Sequence, residues 1–373
     1  MSLEFHHRGF SVESYRSACA FTPRATDVII ATAPKTGTTL LQWACHLVRV
    51  GLAEGAAALS ERRAGFAFDG IYQVAVWLQM AHDLGIDVVA PTYEQRSLDV
   101  AAPLYPRLFK SHQRLGATDR HCKRIVTLRE PAAVARSWWR FLRSHDVPPL
   151  RKYSSVSDFV FDKDFFASGM RFGATIEEYY AEYAAAIASR DPSVLVLCFE
   201  DLATRGGVAR HVPLLARFLG GGARGGGASE EASEEAIAAL ARAVGALTTK
   251  AAMLDPRDAS KFDESWAHGQ LVAAGRNPDP SAFCPVQRVY VSTPSCSDAS
   301  PAGATATARL STTASTTRPA AADALNAAAL SFLDERWAAV VAPASGARTY
   351  SALVERCRGA LCERYPHCHP YRE

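Results

Sequence analysis

Short apolar runs alternate with segments of helical periodicity along residues 25–50, 106–145 and 190–220. A strand followed by a helix, repeated in this way, is typical of a mainly parallel sheet flanked by helices. Residues 70–86 and 175–189 place apolar side chains at helical spacing, which predicts an amphipathic helix in each segment. The pattern therefore predicts an α/β fold, a single domain with a mainly parallel central sheet.

The segment after the first apolar run, which begins at Val28, combines cationic, small and hydroxyl side chains. Lys35, Gly37 and three threonines lie there, and apolar residues at helical spacing follow from Leu40. Unpaired N–H groups and the macrodipole at a helix start favour an anion, and Gly37 permits close approach of the backbone. The spacing differs from the GxxxxGK[ST] loop of nucleotide triphosphatases. Alone, this P-loop-like segment leaves a phosphate site and an ordinary turn equally open.

A second apolar run, Arg124–Leu128, ends in Arg129 and leads into a predicted helix that begins at Pro131. Arg129 and Ser137, about two helical turns apart, are both within reach of one phosphate, and arginine suits the bidentate geometry best. Taken alone, this pattern is better explained by a surface arginine and a structural serine.

A third apolar run delivers Lys110 and His112 at its end, on either side of Ser111. Because residues two apart on a strand face the same way, Lys110 and His112 should converge. A lone histidine is usually structural. A lysine beside it, in a chain with two candidate phosphate segments, favours a catalytic role.

Together these segments resemble the cytosolic sulfotransferase family, whose members use 3′-phosphoadenosine-5′-phosphosulfate (PAPS). Pro34–Thr39 is similar to the family's loop for the 5′-phosphosulfate, and Lys110–His112 to its K-[ST]-H segment with the catalytic base. Arg129–Ser137 matches its 3′-phosphate motif, and Val194–Leu202 resembles the strand and turn that flank the adenine. Fainter similarities follow at residues 247–253 and 332–350.

The resemblance implies a PAPS-dependent sulfotransferase that acts on a hydroxyl or an amine of a small-molecule acceptor and requires no metal. It implies that His112 is the general base and that Lys35 and Lys110 stabilise negative charge on the transferring group. The implied cofactor-binding residues are Lys35, Thr36, Gly37, Thr38, Thr39, Arg129, Ser137, Phe199, Thr248 and Met253. Phe68, Tyr72 and Trp77 lie in the region implied for the acceptor, although packing of a helix explains these aromatic residues equally well.

Several positions depart from the family's pattern. Leu40 stands where a tryptophan usually packs near the adenine, and Phe199 lacks the hydroxyl of the usual tyrosine. Glu130 and Ala133 replace an asparagine and an aspartate of the 3′-phosphate motif. These departures keep open a catalytically silent binding protein with the same fold.

The family's late Arg-Lys-Gly loop has no clear counterpart, and Arg276 and Arg288 are the nearest candidates. A nucleotide-dependent small-molecule kinase is the less favoured alternative, because the chain shows no Walker-type loop and no evident acidic Mg²⁺ ligand after a strand.

Composition narrows the class of protein further. A net charge of +3 and a pI near 8.4 do not suggest a nucleic-acid-binding protein, which would show a basic stripe. No stretch of eighteen apolar residues occurs, so we expect no membrane span. With the family resemblance, this favours a soluble cytoplasmic enzyme, and homodimer formation is left open.

The predicted organisation has three parts: an N-terminal extension (1–24), a sulfotransferase domain (25–355) and a Cys/His-containing tail (356–373). Flexible insertions are predicted near 220–235, which is rich in glycine, and 292–323, which is rich in serine, threonine, alanine and proline. The nine cysteines are scattered, which indicates reduced thiols in the core. Those of the tail fit no common zinc spacing, so a disulfide or a disordered tail is favoured over a metal site.

Overall fold

The computed structural model describes residues 11–61, 68–91, 95, 98, 105–118, 120–144, 152–162, 166, 174–220, 233–275, 323–368 and 370–371. Most of the two predicted insertions, the candidate arginines Arg276 and Arg288, and the N-terminal ten residues lie outside the described residues.

Five parallel strands form the central sheet, in the order β2-β3-β1-β4-β5. The strands are β1 (Val28–Ala31), β2 (Val76–Trp77), β3 (Leu108–Ser111), β4 (Lys123–Leu128) and β5 (Val194–Cys198). The register pairs Ile30 of β1 with Lys110 of β3 and with Ile125 of β4. The predicted parallel α/β sheet is confirmed, and every parallel strand ends at the same edge, where ligands bind in such sheets.

Helices connect and flank the strands. They are α1 (Val12–Ala20), α2 (Thr38–Glu54), α3 (Ala56–Glu61), α4 (Leu78–Ala81), α5 (Pro131–Ser144), α6 (Val156–Val160), α7 (Ile176–Ala188), α8 (Phe199–Ala203), α9 (Gly207–Gly220), α10 (Glu234–Leu247), α11 (Lys250–Met253), α12 (Ser265–Ala273), α13 (Ala327–Arg336), α14 (Ala342–Ser345) and α15 (Tyr350–Arg364). Short 3₁₀ turns lie at Ile71–Gln73, Leu115–Ala117 and Ala259–Phe262, and a π-helical turn at Trp337–Val341.

The prediction of one amphipathic helix over residues 70–86 is wrong. The segment forms a 3₁₀ turn, the short strand β2 and the short helix α4. Val76 and Trp77 pair with Phe109 and Lys110 at the edge of the sheet, so their backbone groups are bonded across strands. Most apolar side chains from Ile71 to Ala81 are buried, and periodicity alone cannot separate a helix from such a largely buried chain.

The core has two parts. The larger one surrounds the sheet, and β1, β3 and β5 are buried along their whole length. A smaller cluster joins α5, α6 and α13 through Trp138, Trp139 and Phe159. The predicted helix at 175–189 corresponds to α7, whose tyrosines are buried in the larger core.

Both ends of the described chain pack against the domain. Ser11, which caps α1, donates its hydroxyl to Asp83 (2.6 Å) just after α4. The predicted boundary between residues 355 and 356 falls inside α15, where Cys357 is buried and its Sγ donates to the Val196 carbonyl at 3.3 Å. The seven described cysteines are free thiols.

Two kinds of feature are absent from the described residues. No described helix has the length and apolar character that crossing a membrane requires. Within the same part of the chain, no group of three or more His, Cys, Asp or Glu side chains is arranged to hold a metal ion.

Candidate active site

The loop between β1 and α2 turns through backbone conformations of positive φ. Lys35 has a φ of 66° and Gly37, the residue before α2, a φ of 101°. A Cβ atom at Gly37 would lie 2.4 Å from Cδ2 of Phe199. Glycine is therefore required here for conformation and for space, and the loop lies directly against the Phe199 ring.

Two threonine hydroxyls hold this loop in place. Thr36 donates to the Ala33 carbonyl (2.7 Å) and accepts from the Thr127 hydroxyl (2.8 Å) on β4. The Thr38 hydroxyl bonds to that of Thr32 at 2.6 Å, and both Thr36 and Thr38 are buried. Thr39 follows on the first turn of α2 and is partly buried. What the turn offers a ligand is therefore chiefly the backbone N–H groups that a helix start leaves unpaired.

Lys35 brings a desolvated ammonium group to the loop. Its Nζ lies 3.9 Å from the centroid of the Phe141 ring of α5. Desolvation by burial lowers the pKa of Lys35 to about 8, with a smaller lowering from Arg129, while the Glu264 carboxylate opposes the shift. An anion that binds here would favour the charged form of this lysine.

Lys110, at the end of β3, sits in an aromatic cage. Its Nζ lies 3.2 Å from the centroid of a Trp77 ring and donates to the Tyr72 hydroxyl at 3.4 Å. Burial, with a smaller contribution from Lys35, lowers the pKa of Lys110 to about 7, while the Glu264 carboxylate opposes the shift. Lys35 is thus close enough to Lys110 for its charge to affect the pKa of Lys110.

His112 follows β3, and its ring orientation is set by the backbone of β1. Nδ1 lies 2.8 Å from the Thr32 carbonyl oxygen, so the N–H is on Nδ1 and the lone pair of the neutral ring is on Nε2. Burial, with the charge of Lys110 as the next cause, holds the pKa of His112 well below 6.5. The imidazole is therefore neutral at pH 7, which is the state a general base requires.

Arg129 and Phe199 join the ends of β4 and β5. The guanidinium lies 4.3 Å from the centre of the Phe199 ring, and Nη1 donates to the Lys35 carbonyl at 2.6 Å. The structure thus brings Lys35, Lys110, His112, Arg129 and Phe199 to the carboxyl edge of the sheet, as their positions after apolar runs predicted.

Glu130, an unusual residue beside a phosphate motif, caps α5. Its carboxylate accepts from the backbone N–H of Ala133 (2.9 Å) and pairs with Arg136 (3.3 Å). Ser137 lies further along α5 and is partly buried.

Thr248 and Met253 lie at the ends of α10 and α11. The buried Thr248 hydroxyl donates to the Val244 carbonyl at 2.9 Å, which ties this side chain to its own helix. Met253 is partly buried and packs against the larger core. Their predicted contact with a cofactor stays a prediction.

The three aromatic residues predicted to contact the acceptor lie in two different parts of the structure. Tyr72 and Trp77, with ring centroids 5.2 Å apart, both contact Lys110. Phe68 instead packs edge-on against Trp43 at 5.6 Å. Phe66, from the same aromatic segment, lies outside the described residues.

Three tyrosines of α7 brace the strand ends, a role that sequence reasoning missed. The hydroxyl of Tyr179 donates to the His112 carbonyl, and that of Tyr180 to the Arg129 carbonyl. Tyr183 accepts from the Ala33 N–H at 2.9 Å. The available signal was the spacing of these three tyrosines on one predicted helix, because each buried tyrosine hydroxyl must find a polar partner.

Glu264 is a second functional candidate that the sequence did not reveal. It precedes α12, in a segment whose Phe262 packs on Trp43 with ring centroids 5.2 Å apart. Among charged neighbours, it raises the pKa of both Lys35 and Lys110. Nothing in the local sequence distinguishes Glu264 from a surface acid.

Comparisons with known proteins bear on the family. A model of the sulfotransferase domain matches residues 25–239, more than half of the chain. No curated protein matches the chain. Solved structures with similarity include retinol dehydratase with retinol and PAP, at 16% identity over 70% of this chain and 75% of that one, with a TM-score of 0.44. Mouse sulfotransferase SULT7A1 with PAP is another, at 18% identity over 65% and 71% of the two chains, with a TM-score of 0.40.

The domain match covers the loop after β1, the Lys110–His112 segment, Arg129 and Phe199, all of which meet at one edge of the sheet. The chain belongs to the sulfotransferase domain family.

Proposed function

We propose that the protein transfers a sulfuryl group from PAPS to a hydroxyl, or an amine, of a small-molecule acceptor. One observation carries the proposal: a neutral imidazole, His112, lies within electrostatic reach of two desolvated ammonium groups, Lys35 and Lys110. Both lysines have pKa values lowered toward neutrality by burial, so the dianionic phosphosulfate of the donor gains from binding beside them.

His112 acts as the general base. Its Nε2 lone pair accepts the proton of the acceptor hydroxyl, and the oxygen forms a bond to sulfur. The bond between sulfur and the 5′-phosphate oxygen breaks, and its electron pair leaves on that phosphate. The Thr32 carbonyl stabilises the imidazolium that results, because it already accepts the Nδ1 proton.

Lys35 and Lys110 stabilise the charge that develops during transfer. Positioned positive charges in a dry site are the main source of catalysis in such group transfers. Lys35 neutralises the negative charge on the departing phosphate. Lys110 neutralises the charge on the sulfuryl group while it is transferred. Both ammonium groups become more fully protonated when an anion binds, since a nearby negative charge raises the pKa of a lysine.

The remaining residues hold the donor nucleotide. Backbone N–H groups at the start of α2, with the Thr39 hydroxyl, bind the 5′-phosphosulfate. Arg129 binds the 3′-phosphate with Ser137, and the Phe199 ring packs on the adenine. Arg129 contacts both the Lys35 carbonyl and the Phe199 ring. The proposed site for the 3′-phosphate is therefore in direct contact with the loop proposed for the 5′-phosphosulfate.

Calorimetric titration with 3′-phosphoadenosine-5′-phosphate, the product nucleotide, tests the donor site. We expect binding without magnesium, and much weaker binding of ATP. No binding, or equal binding of the two nucleotides, would contradict the proposal. A radiolabelled transfer assay over hydroxyl and amine acceptors then tests turnover, and binding with no transfer to any acceptor would favour the silent binding protein.

A further inference from the structure

The side-chain amide of Gln79, at the start of α4, forms its hydrogen bonds inside the core, beside the candidate base His112. Its side chain is only 1% exposed. Nε2 donates to the Ser111 hydroxyl at 2.8 Å, and Oε1 accepts from the Trp77 indole N–H at 2.9 Å. The same Oε1 lies 3.4 Å from the backbone N of His112, which donates a longer bond. One amide therefore links the end of β2 to the end of β3.

The indole that Gln79 holds is the one that contacts both Lys110 and His112. Trp77 pairs with Lys110 in the sheet register, and its ring face lies 3.2 Å from the ammonium. The ring planes of Trp77 and His112 are nearly perpendicular, at 89°, with centroids 5.7 Å apart. A buried indole N–H needs an acceptor, and the position of that acceptor fixes how the ring is turned.

We propose that Gln79 is a positioning residue, which orients the Trp77 indole so that its face supports the Lys110 ammonium while the ring lies against His112. The role in turnover rests on the proposed sulfuryl transfer, whereas the effect on Lys110 itself does not. Tryptophan forms the strongest cation–π interactions of the aromatic side chains, and this attraction depends on the ammonium lying over the ring face.

The ionisation of Lys110 is finely balanced, so a turned indole has a measurable effect. Burial and the charge of Lys35 disfavour the ammonium, while the Glu264 carboxylate favours it. The ammonium faces the neutral His112 ring and donates to the Tyr72 hydroxyl at 3.4 Å. These opposing influences leave the pKa of Lys110 at about 7. Loss of the ring face would lower it, and a new negative charge near the indole would raise it.

Two substitutions of Gln79 are expected to act in opposite directions. Gln79→Leu keeps the volume but removes the acceptor for the indole. In Gln79→Glu, the carboxylate keeps acceptors for the Trp77 and His112 N–H groups and accepts a hydrogen bond from the Ser111 hydroxyl. It also adds a negative charge. Gln113→Leu is the matched control, because Gln113 contacts Ser111 and Cys19 within the same network but has no hydrogen bond to the indole.

The primary measurement needs no substrate. Lys110 is followed in protein labelled with ¹³C at lysine Cε, and its NMR signal is assigned by its loss in Lys110→Met. We expect Gln79→Leu to lower the titration midpoint by about 0.5 to 1 pH unit, or three- to tenfold in the ionisation constant. Gln79→Glu should raise it, and Gln113→Leu should leave it unchanged.

The pH profile of kcat is the second readout. The alkaline limb should move with the Lys110 midpoint in both variants, while KM for the donor changes little. An unchanged Lys110 midpoint in Gln79→Leu, or an equal shift in Gln113→Leu, overturns the proposal. Where Gln79→Leu fails to fold, Gln79→Met, which is closer in shape to glutamine and also lacks the acceptor for the indole, decides the matter. Shifted midpoints in a protein without transferase activity would overturn the proposed function and leave the positioning role standing.

Discussion

At the scale of single residues, the candidate site depends on a few side chains whose protonation is set by their surroundings. His112 is neutral because it is buried beside Lys110, and its tautomer follows from one bond to the Thr32 carbonyl. Lys35 and Lys110 remain ionisable near neutral pH because each ammonium has lost water. A neutral imidazole and ionisable ammonium groups therefore coexist near pH 7, as the proposed proton transfer to His112 requires.

His112→Ala should reduce the rate of sulfuryl transfer by roughly 10²- to 10⁴-fold, the usual loss when a general base is removed. The product nucleotide should bind as before, because the variant leaves Lys35 and Arg129 in place. Since the pKa of His112 is lowered, the wild-type rate should hold as pH falls through 6.5 and decline only below that. Steady-state assays across pH provide the measurement.

His211→Ala is the control for this variant. His211 is also buried, and its Nδ1 bonds to the Gly207 carbonyl of its own helix at 2.7 Å. We expect its loss to affect stability and to leave the transfer rate of folded protein near wild type. A His112→Ala rate within a few-fold of wild type would remove His112 from the mechanism.

At the scale of elements, the carboxylate of Glu200 ties α15 to the turn that carries Arg129. One oxygen accepts from the Glu130 N–H (2.8 Å), and the other from the Tyr350 hydroxyl (2.6 Å). Glu200 directly follows Phe199 at the start of α8. The C-terminal helix thus holds the ends of β4 and β5 at a fixed separation.

Tyr350→Phe should weaken binding of the product nucleotide by about three- to tenfold, because a hydrogen bond to a charged group contributes on the order of 1.5 kcal/mol. The transfer rate at saturating donor should change less than the affinity. Tyr365→Phe, at the other end of α15, serves as the control and should bind normally. Equal affinities for wild type and Tyr350→Phe in calorimetry would exclude this coupling.

At the scale of the whole molecule, a buried ion pair fixes the starts of β1 and β3 beside each other. The Arg107 guanidinium makes a bidentate contact with Asp27 (2.9 and 2.7 Å) and donates to Gln95 at 2.8 Å. Both charged side chains have 0% exposure. These strands carry the loop of Lys35 and the pair Lys110 and His112, so the pair supports the alignment of the site from the opposite edge of the sheet.

Arg107→Met should lower the free energy of unfolding by about 3 to 5 kcal/mol, because Asp27 would be left as an unpaired buried charge. Urea unfolding followed by circular dichroism measures the change. Glu363→Gln removes the exposed pair with Arg190, whose side chains are 64% and 76% exposed, and should cost less than about 1 kcal/mol. If both variants lose a similar free energy of unfolding, the buried pair stabilises the fold no more than the exposed pair does.

Local patterns were sufficient for much of the fold. Apolar runs that end in Lys110, Arg129 and Phe199 each correspond to a strand, because a strand buried on both faces reads as a continuous apolar segment. The turn at Gly37 was likewise visible, since positive φ and close approach both call for glycine. The segment 70–86 was misassigned, because its two-residue strand is stabilised by pairing with β3 and not by its own periodicity.

The sequence by itself determined the strands β1, β3, β4 and β5, the helices α2 and α5, the glycine turn at Gly37 and the residues placed at the ends of strands. Short-range patterns and turn chemistry encode these features. Only the tertiary structure decided that Gln79, Glu264, Tyr180 and Tyr350 act on those residues. Each of these contacts depends on how separate elements pack against one another. No spacing along the chain specifies such a contact, because burial, hydrogen bonding and pKa shifts arise from neighbours in space.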